Sequence, residues 1–372
     1  MSGLPKHIKT IYNLRIPLIC AVIALIGIIL RFMRLGARDL WGDEVYQYYQ
    51  CVGPMKRFWL HNFYGDFSCF PGDYIITYPF IQYFGQNKWG VMIPHILFTF
   101  VGFYLFYLLC RRYLKTTLGF AMAFALFAFN DNLIAHNFDL RPYSVLPTLA
   151  VGGLYFANLL FSEFSRLTKW HKLGIGLFCL YTVIFHIYGL VFLSLIFLFE
   201  FLARYKESAS EMKKADFIKY FISLYCILAI AWVWYASPML QWFGFAQKAF
   251  QGERPTFDYI PNPVIDFIGF FKGIFGNLLT TDWLKWTVLG AVCVFLPGNI
   301  QRYKQLGFFF ICIGLGIMTV FLLSLFKHYW FLQRQFIWVM PFFAFFIGWC
   351  WDSLALMMIQ RKKQTGTYQF WR

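Results

Sequence analysis

Charge is what this chain lacks most. Asp, Glu, Lys and Arg supply 13% of its 372 residues, where a soluble domain carries roughly 25%, so a soluble globular protein is excluded. Acidic residues are scarcer still, 17 against 33 Lys plus Arg, for a formal net charge of +16. In a soluble protein that balance would suggest nucleic acid. Here no nucleic-acid partner is expected, because the cations sit in short segments between alternate apolar runs: Lys6/Lys9/Arg15, Arg111/Arg112/Lys115, Arg166/Lys169/Lys172, Arg204/Lys206/Lys213/Lys214, Arg302/Lys304 and Arg361/Lys362/Lys363. That is the distribution of a membrane protein whose cytoplasmic loops are basic.

Other features are missing too. The nine cysteines form neither a metal nor a disulfide framework. Most lie inside apolar runs, where Cys acts as a small hydrophobe. Cys51 and Cys69 share one polar segment, and nothing in the sequence requires them to pair. No His-x-x-x-His or clustered carboxylate set has metal-ligand spacing. A cofactor is therefore not indicated, although Asp43 and Glu44 with a distant third ligand would suit a divalent cation. The first apolar run, Ile16 to Leu30, lacks a small-residue cleavage site and reads as a retained anchor. No repeat, low-complexity linker or separate soluble domain interrupts the chain, so residues 1–372 are read as one transmembrane domain.

What is present is 60% hydrophobic and 23% aromatic residues, in runs long enough to cross a hydrocarbon core of about 30 Å. Runs and basic clusters together predict an all-α polytopic membrane protein of about ten spans, with both termini cytoplasmic. The spans fall at about 15–33, 89–110, 117–130, 140–161, 172–187, 188–203, 217–236, 283–298, 306–326 and 335–358. Two long outer segments, 34–88 and 237–282, separate them. Each is expected to carry juxtamembrane structure, including an interfacial helix around Val264–Phe275. Pro142 is expected in the first turn of the fourth span, where its missing N–H costs nothing.

One stretch organises the rest: Arg38-Asp39-Leu40-Trp41-Gly42-Asp43-Glu44-Val45-Tyr46-Gln47-Tyr48-Tyr49. Adjacent carboxylates at the edge of the hydrocarbon are costly unless paired or used. The plainer reading of Asp43 and Glu44 is a helix N-terminus held by its dipole and water. The predicted topology brings Arg141, His186, Tyr188, Lys327, His328 and Arg334 to the same face. If Asp43 and Glu44 lie on a helix they point about 100° apart, so one acts as the base and the other supports it, orienting an acceptor or pairing with a cation such as Arg38 or Arg141. Arg141 and Arg334 suit a phosphate, because guanidinium donates two parallel hydrogen bonds; headgroup snorkelling is the alternative. Lys327 and His328 are candidates for secondary phosphate contacts, and a plain surface position is the reading their placement favours. His186 and Tyr188 are candidates for phosphate or sugar hydroxyls, and Asp73 either touches the acceptor or caps the helix that follows.

The order Leu40-Trp41-Gly42-Asp43-Glu44, Asp139-Leu140-Arg141-Pro142-Tyr143, His186-Ile187-Tyr188 and Phe331-Leu332-Gln333-Arg334 resembles the GT-C membrane glycosyltransferases of the protein O-mannosyltransferase and lipid A aminoarabinose transferase superfamily. The resemblance covers nearly the whole chain. It implies transfer of a sugar from a polyprenyl-phosphate carrier to a glycan, lipid or protein acceptor on the outer face of the membrane. It also implies that Asp43 is the catalytic base, that outer-face arginines hold the carrier phosphate, and that Tyr143 lies at the substrate site. Two departures bear on the acceptor pocket: Phe70-Pro71-Gly72-Asp73-Tyr74 stands where His-Pro-Pro and an aromatic are usual, and Gln335-Phe336 follows Arg334 where Arg-Tyr is usual. One base and a phosphate leaving group favour a single displacement with inversion, unlike the facing carboxylates of a retaining glycosidase, about 5–5.5 Å apart. Short loops and the absence of an endoplasmic-reticulum retrieval signal point to a bacterial inner membrane. The competing classes are a transporter or lipid flippase, which would place its charges at mid-span, and an inactive GT-C-like subunit.

Overall fold

The computed structural model describes residues 6–34, 39–56, 71–85, 87–204, 224–233 and 333–364, with single positions at 218, 222 and 266. The spans expected at 283–298 and 306–326, the interfacial helix at 264–275, and Lys327 and His328 lie outside the described residues. Helices make up the fold, and no strand occurs among the described residues. In chain order they are α1 (Lys6–Met33), α2 (Gly42–Val52), α3 (Pro71–Phe84), α4 (Lys88–Tyr113), α5 (Thr117–Ala128), α6 (Asp131–Ala135), α7 (Leu146–Ser162), α8 (Lys169–Phe185), α9 (Ile187–Arg204) and α10 (Met340–Gln364). Short 3₁₀ turns at Pro142–Ser144 and Gln333–Val339 precede α7 and α10.

Among the described residues, three stretches are long and apolar enough to cross a membrane: Arg15–Met33, Trp89–Tyr113 and Phe336–Ile359. The face that α1 turns away from the bundle carries Leu18, Leu25 and Ile29, all exposed. Bare leucine and isoleucine on a long helix are what contact with lipid requires. The helices meet through small residues, as helices in a membrane do. Gly27 of α1 lies against Ala128 of α5, and Gly348 of α10 lies against Ala123 of α5 so closely that a Cβ there would collide. Around these contacts Phe106, Phe124, Phe185, Phe192, Phe342 and Phe345 are fully buried.

Polar residues gather at the two ends of the bundle. At one end Asp352 of α10 accepts the backbone N–H groups of Lys115 and Thr116 (2.9 and 2.6 Å), and Thr116 in turn caps α5 by accepting from Gly119 (3.1 Å). Arg112 pairs there with Glu163 at 2.8 Å. The opposite end collects α2, the start of α3, the 136–144 segment, the α8–α9 junction and residues 334–339.

The fourth expected span starts later than its sequence suggests. Arg141 is extended (φ −157°, ψ 157°), Pro142 opens a 3₁₀ turn instead of an α-helix, and α7 begins at Leu146. A residue that precedes proline is driven out of the α region, and Ser144 holds the turn by donating to the Arg141 carbonyl at 3.1 Å. The delay frees Arg141 to extend sideways from the end of the helix.

Candidate functional site

The site starts from a helix N-terminus. Trp41 is extended (φ −95°, ψ 167°) and α2 begins at Gly42, so Asp43 and Glu44 fall in its first turn, where carboxylates are favoured by the helix dipole. The two then diverge. Glu44 turns inward and is fully buried. Its Oε2 reaches back to the Trp41 N–H at 3.1 Å, one half of a capping box, and its Oε1 accepts the Leu140 N–H at 2.8 Å. Asp43 turns outward, with 47% of its side chain exposed.

Asp43 Oδ2 lies 2.8 Å from Arg141 Nη2 and 3.6 Å from Arg334 Nη2. Its other oxygen, Oδ1, makes no hydrogen bond among the described residues. The Arg334 guanidinium lies over the Trp41 ring at 4.1 Å and beside the Tyr143 ring at 5.3 Å, close enough for cation–π attraction. Tyr143 is buried and its ring stands 6.4 Å from that of His186. His186 stacks on Tyr188 at 5.0 Å, and its Nδ1 accepts the Tyr188 N–H at 2.9 Å. The neutral ring therefore carries its proton on Nε2. Gly72 of α3 fits against the Phe185 backbone with no room for a Cβ, which brings the Pro71-Gly72-Asp73 turn against the α8–α9 junction.

The sequence expectations thus separate. Asp43, Arg141, Tyr143 and Arg334 come together, although their positions in the chain are far apart, and His186 and Tyr188 extend the cluster through Tyr143. Asp73 lies within α3 and is fully buried, so it does not line the open side of the site. Its Oδ2 lies 2.5 Å from the Gln47 amide nitrogen. Burial pushes its carboxyl up to about 7; the Gln47 hydrogen bond and the Arg141 charge oppose that rise, while the Glu44 and Asp139 charges add to it.

Sequence reasoning missed the layer behind the site. Arg31, near the end of α1, is buried and donates to the carbonyls of Gly27 (2.9 Å) and Ala128 (2.7 Å) and to Asn137 Oδ1 (3.1 Å). Asn137 also accepts from Thr99 at 2.7 Å. His95 meets Ser144 at 2.6 Å, and His136 meets Asp139 at 2.6 Å. Between them is a cavity of about 20 Å³ lined in part by Arg31, Thr99, His136, Asn137 and Ser144, room for a single water. The signal available in advance was Arg31 itself, an arginine inside an apolar run.

Among the described residues no group of three or more His, Cys, Asp or Glu stands where it could hold a metal ion. The chemical capacity of the cluster is that of an exposed carboxylate beside two guanidinium groups and a tryptophan face: a proton acceptor, an anion clamp and a surface for an apolar or sugar ring. Fold and site together define a protein that is helical among the described residues, with helices long and apolar enough to cross a membrane and a carboxylate–arginine cluster at one end of its bundle. Comparison with known proteins finds no family model, no curated protein and no solved structure that matches the chain.

Proposed function

We propose that the chain is an integral membrane glycosyltransferase of the GT-C type. It moves a sugar from a polyprenyl-phosphate carrier to an acceptor hydroxyl at the outer face of a bacterial inner membrane, within a bundle of about ten spans. The observation that carries this reading is the convergence of Asp43, Arg141 and Arg334, with one Asp43 oxygen making no hydrogen bond among the described residues.

In this reading Asp43 Oδ1 takes the proton of the acceptor hydroxyl as that oxygen attacks the anomeric carbon. The bond from the anomeric carbon to the phosphate oxygen breaks as the new glycosidic bond forms, with inversion. The leaving phosphate gains charge, and Arg141 and Arg334 are the groups that stabilise it. Before the donor binds, Asp43 keeps the two cations from repelling each other. Trp41 and Tyr143 supply aromatic faces for the sugar, and His186 offers its Nε2–H to a hydroxyl or phosphate oxygen. Glu44 supports this chemistry from behind, since both of its oxygens are bonded to backbone.

The test is transfer of radiolabelled sugar from a panel of polyprenyl-phosphate donors by membranes expressing wild type or Asp43→Asn, with folding checked by monodispersity in detergent. Wild type consumes one donor, and folded Asp43→Asn loses about 100-fold or more, the loss expected when a general base is removed. A wild type that consumes none of the donors would move a transporter or an inactive subunit ahead of this reading.

A further inference from the structure

Asp73 stands on α3 behind Asp43, and its surroundings suit a charge poorly. The side chain has no exposure. Among the described residues Oδ1 finds no hydrogen-bond partner, and neither does Gln47 Oε1. As a carboxylate Asp73 would bury a charged oxygen with nothing to satisfy it; as a carboxylic acid it leaves only a neutral carbonyl there. The 2.5 Å separation between Asp73 Oδ2 and the end of the Gln47 amide falls in the range of O–H···O bonds, about 2.5–3.0 Å, and below that of N–H···O bonds. An amide turned by half a rotation presents its carbonyl to an acid proton.

The groups around Asp73 can be named element by element. From α2 come Glu44 and Cys51; from the 136–144 segment, Asp139 and Arg141; from α8, Tyr181; from α3 itself, Tyr74. On α4, which packs against α3, the titratable group is His95; it bonds Ser144 and feels the Asp139 charge, not that of Asp73. Of these, Arg141 favours the ionised form and the two carboxylates oppose it. Arg141 is also the partner of Asp43. Gln47 follows Asp43 by one turn of α2, on the same side of the helix, so a bond that fixes Gln47 fixes Asp43.

We propose that Asp73 is a protonated latch: as an acid it bonds Gln47 and seats α2 on α3 with Arg141 committed to Asp43, and on losing its proton to solvent it competes with Asp43 for Arg141. Asp73 is then a positioning residue for the Asp43–Arg141 pair. Its effect on sugar transfer rests on the glycosyltransferase reading, whereas the latch does not.

Two readouts independent of activity test it on the full-length protein in lipid nanodiscs. Infrared difference spectra between about pH 5 and pH 9 are expected to show a protonated carboxyl band that titrates near neutrality and is missing from Asp73→Asn. Hydrogen exchange of the peptide spanning α2, corrected for intrinsic rates, is expected to lose protection over the same range in wild type and to stay flat in Asp73→Asn. If that variant fails to fold, Gln47→Leu serves instead: loss of the hydrogen bond that the acid form makes moves the carboxyl midpoint down by about one pH unit, whereas an upward shift would show Gln47 donating to a carboxylate and overturn the latch. A spectrum in which neither variant alters a carboxyl band overturns the protonated state. A band that titrates without any change at α2 overturns the latch. Either result leaves the glycosyltransferase reading to its own assay.

Discussion

The Glu44 carboxylate accepts the backbone N–H of Leu140 at 2.8 Å, and this bond sets the register of the whole site. Asp43 precedes one partner and Arg141 follows the other, so two residues about a hundred positions apart are placed opposite each other by their neighbours. In the proposed reading the ion pair between Asp43 and Arg141 is the functional pair, and the bond behind it holds the two in place.

Glu44→Gln is therefore expected to damage the fold more than Asp43→Asn does. A glutamine amide has one acceptor where Glu44 uses two, so a buried N–H of Trp41 or Leu140 loses its partner at a cost of about 1–3 kcal/mol. Thermal unfolding in detergent checks this: Glu44→Gln lowers the midpoint, and the half-exposed Asp43→Asn leaves it close to wild type.

Arg334→Lys and Trp41→Leu should be coupled. Lysine keeps the charge and loses the planar group that lies over the indole, and Trp41→Leu removes the same contact from the other side. Donor KM measured for both single variants and the double variant is expected to give a coupling of about 0.5–2 kcal/mol. Additive effects would show that the stacking contributes nothing to donor binding.

Glycines offer a paired test of packing. A methyl at Gly72 meets the Phe185 backbone, so Gly72→Ala costs roughly 1–3 kcal/mol and shifts the α8–α9 junction that holds His186. Nothing lies within 4 Å of a methyl at Gly176, so Gly176→Ala is neutral or stabilising by up to about 1 kcal/mol. Thermal midpoints of the two variants, with donor KM alongside, separate the effects.

Asp73 gives stability a definite slope with pH. Its carboxyl is raised from 3.8 to about 7 by burial, so the folded protein holds a proton that the unfolded chain has already released. Its contribution is most favourable below about pH 4 and falls as pH rises toward about 7, above which both states are ionised and the loss is complete. Denaturation midpoints measured across that range should decline in wild type more steeply than in Asp73→Asn, which carries no ionisable group there.

Much of this was legible in the chain because it follows from local pattern. Apolar run lengths placed α4, α8 and α9 within a few residues of their observed bounds and met the end of α1, although α1 starts earlier than its apolar run, at Lys6; Asp43, Arg141 and Arg334 each stood where a run begins or ends. The burial of Glu44 was not legible, because its two hydrogen bonds go to backbone groups, which carry no residue signature. Arg31 likewise spends itself on carbonyls of Gly27 and Ala128, and any residue could have supplied those. The late start of α7 was foreshadowed by Pro142, whose effect on the residue before it competes with its suitability for a first helical turn; the extended Arg141 shows which prevailed.

The Arg31 bonds have a mechanical consequence. Most of α1 faces away from the bundle, yet its C-terminal end, which leads toward Asp43 on α2, is fastened to α5 and Asn137 by a guanidinium that cannot be withdrawn without burying unpaired carbonyls. A helix fastened by its C-terminal end and exposing much of its remaining length among the described residues answers a thicker or thinner bilayer by tilting about the fastened end. The free end near Lys6 travels, and the carboxylate–arginine cluster keeps its depth.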